Sequence, residues 1–89
     1  MSLTQLREAL DVWRGKNPLR VWRTKHKWTQ GEVADVIGVS EQSVRMYERG
    51  RYRPVEDTMA TIAIVMRRDY RKMNQEWTRW LNKRPLPKQ

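Results

Sequence analysis

The sequence predicts an all-α protein, a small bundle of about five to six helices in a single domain of 89 residues. Apolar residues recur at intervals of three and four along successive segments, as they do on the buried face of an amphipathic helix. Ser, Thr or Asn stands before several of these segments, and Gly often stands after them, a pattern typical of helix caps. A hydrophobic fraction of 38% and a charged fraction of 33% fit a globular chain with one core.

Two helices are predicted in the N-terminal part of the chain. The first covers residues 2–14 and begins with a capping box, in which Ser2 is followed three residues later by Gln. The second covers residues 18–25, with Asn17 as its N-cap and Pro as its first residue. Lys27 then occupies a connection that Gly would fill more easily, and a left-handed backbone there costs about 1 kcal/mol.

Residues 29–50 carry the most specific pattern of the chain. Thr29 and Glu32 have capping-box spacing at the start of one helix, Gly38 suits the left-handed turn that ends it, and Ser40 can cap the next helix. Two short helices joined by a tight turn form a helix-turn-helix, whose second helix can enter the DNA major groove. The sequence therefore predicts a DNA-reading module that the rest of the chain positions.

A heptad-like apolar stripe, with alternating steps of four and three residues, predicts a long C-terminal helix. No Gly or Pro interrupts the chain from residue 56 to residue 82, and one helix of that length would extend for about 40 Å, too far for a core this small. Either the helix breaks near residues 67–69, or its second half packs on something else. Residues 67–84 are therefore assigned to a C-terminal helix and residues 85–89 to a loose tail.

Two main interpretations of the stripe from residue 66 to residue 80 remain open, beside a lesser one in which the stripe binds a membrane surface. The first is an intramolecular core that packs on the N-terminal helix. The second is a subunit interface, which would account for a homodimer. The candidate dimerisation residues are Tyr70, Met73, Trp77, Trp80 and Leu81.

The charge balance favours a polyanionic partner. The chain has 19 Lys and Arg against 10 Asp and Glu, a formal net charge of +9. It has no Cys and a single His, which excludes disulfides, thiolate zinc sites and cysteine nucleophiles. No Gly-rich phosphate loop is present, so we expect no enzyme, cofactor, metal or small-molecule ligand. No apolar run approaches the ~18 residues of a membrane span, and we expect a cytoplasmic protein of a bacterial or phage-infected cell that binds no membrane.

Several short motifs at characteristic spacing resemble the lambda-repressor/Cro type (XRE-like) of helix-turn-helix. They are LRVWR at residues 19–23, TQ at 29–30, VA at 33–34, IGVS at 37–40, YERG at 47–50 and RP at 53–54. The resemblance covers residues 18–66 and implies a five-helix bundle that binds double-stranded DNA, usually as a dimeric repressor. Lys27 in place of the usual Gly, and Val55 in place of the usual Ser or Thr cap, depart from the family pattern.

The predicted second helix of this motif presents side chains that can read bases. Arg45 can bond guanine O6 and N7, Gln42 can bond adenine N6 and N7, and Glu41 can accept from cytosine N4. Met46 could contact a thymine methyl, and the resemblance adds Ser43. The base-reading set is therefore Glu41, Gln42, Ser43, Arg45 and Met46. The alternative for this face is an ordinary solvated helix surface.

A second group of residues is predicted to contact phosphate, which fixes register without reading sequence. Its members are Thr29, Gln30, Arg49, Arg51, Tyr52 and Arg53, and the alternative for each Arg is ordinary surface charge. The resemblance further implies a structural ion pair between Arg23 and Glu48.

The leading functional hypothesis is a sequence-specific DNA-binding transcriptional regulator, in particular a phage or mobile-element repressor that binds an inverted-repeat operator as a dimer. Two alternatives are a protein-interaction module of the antitoxin or adaptor type, and an RNA-binding regulator.

Overall fold

The computed structural model describes residues 1–86, in which six α-helices account for the regular structure. The helices are α1 (Leu3–Arg14), α2 (Pro18–Lys25), α3 (Gln30–Ile37), α4 (Glu41–Glu48), α5 (Glu56–Met66) and α6 (Tyr70–Asn82). The predicted all-α bundle is confirmed. Within the described residues, no helix combines the length and the apolar character needed to span a bilayer. Of the predicted tail, residues 87–89 lie outside the described range.

Local side-chain bonds explain where the helices begin. Reciprocal capping boxes are formed at Ser2 for α1 and at Thr29 for α3. The Asn17 side chain accepts the Arg20 backbone N–H at 2.9 Å at the start of α2. Val55 precedes α5 without a side-chain cap bond. Three of these helix starts thus have the local partners that their sequence predicts, and α5 depends on its packing instead.

Residues with a left-handed backbone follow four of the helices, α2 to α5; the one after α4 is Gly50, with φ 72°. Gly38 ends α3 with φ 83°, and two residues other than Gly, Lys27 and Arg67, have φ 58° and 55°. Arg67 divides the apolar C-terminal stretch into α5 and α6, and Asp69 then caps α6 by accepting the Lys72 backbone N–H at 2.9 Å. The break near residues 67–69 is therefore the alternative that the structure adopts, and the uninterrupted helix over residues 56–82 does not form.

The strained backbone at Lys27 leads to a stability prediction. We expect Lys27→Gly to raise the free energy of unfolding by up to about 1 kcal/mol, because Gly adopts φ 58° without steric cost. Lys25→Gly is the matched control, since Lys25 is the last residue of α2 and should lose helix propensity instead. Urea denaturation of the two variants measures the difference. An equal loss of stability in both would show that the turn at Lys27 carries no strain.

A pair of tryptophans joins the two ends of the chain. The Trp13 and Trp80 rings stack with centroids 4.1 Å apart and planes within 3°. Trp13 Nε1 donates to the Trp80 carbonyl at 2.6 Å, and Trp80 Nε1 donates to the Trp13 carbonyl at 2.7 Å. The two reciprocal bonds satisfy both indole donors while the rings stay buried. We call this arrangement the tryptophan clasp; it fixes α1 against α6.

Three residues of the apolar stripe on α6 lie inside the core of the chain. Met73 and Trp77 are fully buried and Trp80 is 6% exposed, all within one chain. This burial favours the intramolecular core over the subunit interface for these three residues, because side chains that fill the core of one chain are not exposed to a second copy. Tyr70 and Leu81 are half-buried and pack against the core.

Candidate nucleic-acid interface

The inner side of α4 is fixed in the core, and this determines which side chains face outward. Val44 is fully buried and Glu48 is 2% exposed. Ser40 caps the helix by accepting the Ser43 backbone N–H at 3.0 Å. Because the helix is held at its cap and along one face, its remaining side chains project from a rigid support.

The candidate base-reading residues lie on this outward side. Glu41 and Gln42 are exposed, and Ser43, Arg45 and Met46 are half-buried. Arg45 Nη1 donates to Gln42 Oε1 at 2.6 Å, and Arg45 Nη2 lies 3.8 Å from Glu41 Oε1. The structure thus brings three of the predicted base-reading side chains into one polar cluster. The Ser43 hydroxyl is engaged differently, accepting from Ser40 Oγ at 2.9 Å.

The predicted ion pair between Arg23 and Glu48 is present and is bidentate. Arg23 Nε and Nη2 donate to the two carboxylate oxygens at 2.7 and 2.8 Å, and Nη1 donates to the Trp28 carbonyl at 3.1 Å. The hydrogen bond to Glu48 raises the pKa of Arg23. The pair connects α2 to the last residue of α4 and therefore sets the orientation of α4.

The candidate phosphate-contacting residues separate into two groups. Thr29, Gln30 and Arg49 line a groove that also contains Glu41 and Arg45 of α4, whereas residues 51–53 do not line it. Gln30 Nε2 donates to Glu48 Oε1 at 3.2 Å, which joins the start of α3 to the buried ion pair. The Thr29 hydroxyl is occupied as a cap, because it accepts the Glu32 backbone N–H at 3.1 Å.

Residues 51–53 form an exposed loop after α4. Arg51 is exposed and Tyr52 is 64% exposed. Arg53 Nη2 donates to the Asn74 side-chain oxygen at 2.6 Å and to the Asn74 carbonyl at 3.1 Å. Arg53 therefore anchors the loop to α6, a role that its position beside Pro54 did not indicate.

The groove that faces α4 has a volume of about 860 Å³ and a cationic lining. Its basic residues come from α1, α2, the α2–α3 turn, α4 and the end of α4: Arg14, Arg20, Arg23, Lys27, Arg45 and Arg49. Sequence reasoning missed Arg14 and Arg20 as members of this surface. The helical spacing predicted the helices that contain Arg14 and Arg20. It did not show which surface of the bundle their side chains would join.

Two short helices joined at a left-handed Gly, with a polar outer face on the second helix, define the helix-turn-helix class. The chain belongs to the helix-turn-helix family, whose model matches residues 19–73, more than half of the chain. This match confirms the resemblance described above. It begins after α1 and ends within α6, so α1 and residues 74–82 of α6 lie outside it.

A similar protein is an uncharacterized HTH-type transcriptional regulator of Methanocaldococcus jannaschii, 41% identical over 39 residues. The aligned segment covers 44% of this chain and 59% of that relative. No solved structure gives a significant match.

Proposed function

We propose that the protein is a sequence-specific DNA-binding transcriptional regulator that reads the major groove with α4. The observation that carries this proposal is the cluster of Glu41, Gln42 and Arg45 on the outer side of a helix whose inner side is buried. The cationic groove beside the cluster suits the phosphate backbone that borders a major groove.

The chemistry of the cluster suits base edges. The Arg45 fork matches guanine O6 and N7, and the Gln42 amide matches adenine N6 and N7. The bond between these side chains, 2.6 Å in the free protein, holds them at neighbouring positions along α4. On DNA, each side chain replaces this hydrogen bond, in part, with hydrogen bonds to a base. Both side chains therefore stay hydrogen-bonded when the complex forms.

The finer proposal is a phage or mobile-element repressor that occupies an inverted repeat as a homodimer. A single α4 reads only one half-site, whereas a symmetric dimer reads two half-sites about one helical turn apart. Since the tryptophan clasp and Met73 lie inside the core, a dimer interface must use other surfaces, and Tyr70 and Leu81 remain partly accessible. Sedimentation of the protein alone and with a two-half-site duplex tests the stoichiometry.

The base-reading role of Arg45 can be tested by substitution. Arg45→Ala should weaken binding to a selected cognate duplex by about 1–3 kcal/mol and relax specificity at one base pair, because a bidentate guanine contact is lost. Selection from a randomised duplex pool, followed by titration of single-base variants at fixed salt, measures both effects.

Arg71→Ala is the matched control for this substitution. It removes the same charge from an exposed position on α6, away from the groove. If Arg45→Ala weakens binding to cognate and to random DNA by the same factor, Arg45 does not read a base. Structured RNA that competes as well as cognate duplex at the same salt would overturn the proposed function itself.

A further inference from the structure

Arg14, the last residue of α1, has only one long ion pair to balance its charge. Its side chain is 23% exposed, and its Nε is buried with no hydrogen-bond partner among the described residues. Its ion pair with Asp11 is long, 3.7 Å from Nη1 to Oδ1, and the Asp11 side chain is 70% exposed. Arg23, by contrast, has a bidentate carboxylate partner of its own.

Other arginines surround this position. Burial and then the charge of Arg49 lower the pKa of Arg14. The Asp11 carboxylate opposes this shift, and the charges of Arg84 and Arg51 add to it, so that the pKa is lowered overall. Arg84 is held nearby, with its guanidinium carbon 5.4 Å from the centre of the Trp13 ring and its Nη1 3.4 Å from the Gly50 carbonyl. Arginine stays protonated at neutral pH, so the fold places like charges together at a free-energy cost.

This cationic cluster is continuous with the face of α4. Arg14 and Arg49 line the same groove as Gln30, Glu41 and Arg45. An anion bound between Arg14 and Arg49 would relieve the repulsion between their charges. A phosphate diester suits such a site, because guanidinium groups bind phosphate oxygens through charge-assisted, often bidentate bonds.

We propose that Arg14, together with Arg49, binds a backbone phosphate of the duplex whose bases α4 reads. The proposal rests on the proposed function and extends it to α1, which lies outside the family-matched residues 19–73. The N-terminal helix then has two roles. It closes the core through Trp13 and, one residue later, adds a phosphate contact beside the recognition helix.

The test compares Arg14→Gln with the unmodified full chain on cognate and random duplexes. We expect affinity to fall by a similar factor on both, because a phosphate contact carries no sequence information. The slope of the logarithm of affinity against the logarithm of salt concentration should become shallower by about one unit. Arg14→Lys keeps the charge and should retain most of the slope while losing the fork geometry.

Thermal unfolding of the DNA-free protein at low salt separates this role from a structural one. Removing a repelled cation should leave the melting temperature of Arg14→Gln unchanged or raised, whereas a structural Arg14 predicts a lower one. Sulfate, compared with chloride at equal ionic strength, should stabilise the unmodified protein more than it stabilises Arg14→Gln. Where Arg14→Gln does not fold, Arg49→Gln takes its place in the same salt titrations and sulfate comparison.

An unchanged salt slope and affinity in Arg14→Gln, with Arg45→Ala still relaxing specificity, would overturn this inference and leave the proposed function standing. If Arg14→Gln makes the salt slope shallower while Arg45→Ala leaves specificity unchanged, the phosphate site is supported. The proposed sequence-specific reading by α4 is then contradicted. A slope change seen on structured RNA and absent on duplex DNA would contradict the assignment to DNA.

Discussion

Arg23→Ala is expected to lower the free energy of unfolding by about 3–5 kcal/mol, because it leaves a buried carboxylate without its cation. Glu48 is 2% exposed and receives two Arg23 bonds of 2.7 and 2.8 Å. After the substitution, the side-chain donor that remains to Glu48 is the neutral Gln30 amide, 3.2 Å from Glu48 Oε1. The Trp28 carbonyl loses a donor as well. Urea denaturation followed by tryptophan fluorescence measures the loss.

The exposed ion pair between Arg68 and Glu76 provides the control. Its two side chains are 39% and 40% exposed, so Arg68→Ala should cost no more than about 1 kcal/mol. Replacing both buried partners, as in Arg23→Met with Glu48→Leu, should recover much of the lost stability, since neither charge is then left unpaired. A cost for Arg23→Ala no larger than that for Arg68→Ala would show that the buried carboxylate is satisfied by other groups.

The elements that could be predicted from the sequence are those specified by contacts between near neighbours. The caps at Ser2, Asn17 and Thr29 and the turn at Gly38 each involve residues within a few positions of one another. Such signals place helix ends and the helix-turn-helix. They also explain why the residues of α4 were identified, since their helical register follows directly from the cap at Ser40.

Contacts between distant segments could not be predicted in the same way. Trp13 and Trp80 are 67 positions apart, and Arg53 bonds Asn74 across 21 positions. A heptad-like stripe specifies that one face of α6 is apolar but not what covers it. The left-handed backbone at Arg67 determines what covers this face. It turns α6 back onto α1, so that Trp80 stacks on Trp13. The cationic site at Arg14 depends on that same long-range packing.

The tryptophan clasp should contribute as much to stability as the buried ion pair. Trp13→Ala is expected to lower the free energy of unfolding by about 3–5 kcal/mol, because it removes a side chain that is 4% exposed and leaves a cavity. It also leaves Trp80, whose ring stacked on Trp13 at 4.1 Å, without its partner. Trp13→Phe keeps most of the packing but deprives the Trp80 carbonyl of its donor, so a smaller loss of about 1–3 kcal/mol is expected. Guanidinium denaturation followed by far-UV circular dichroism measures both.

Gly50 shows how the clasp reaches the end of α4. A Cβ at Gly50 would overlap Trp13 Cη2 and come within 3.2 Å of Trp80 Cη2, whereas a Cβ at Gly38 would meet nothing within 4 Å. Both glycines have positive φ, 72° and 83°. Gly38→Ala should therefore cost only the backbone strain of about 1–2 kcal/mol, and Gly50→Ala should cost more.

A double-mutant cycle tests the cause of that excess. In a Trp13→Ala background, the cost of Gly50→Ala should fall towards that of Gly38→Ala, because the overlapping Trp13 ring is gone and only the tight contact with Trp80 remains. Additive losses would mean that Gly50 and Trp13 are not coupled. Coupling would establish that α1 packs directly on the turn that ends α4, and hence that the N-terminal helix, although outside the family-matched residues, helps to hold the recognition helix in place.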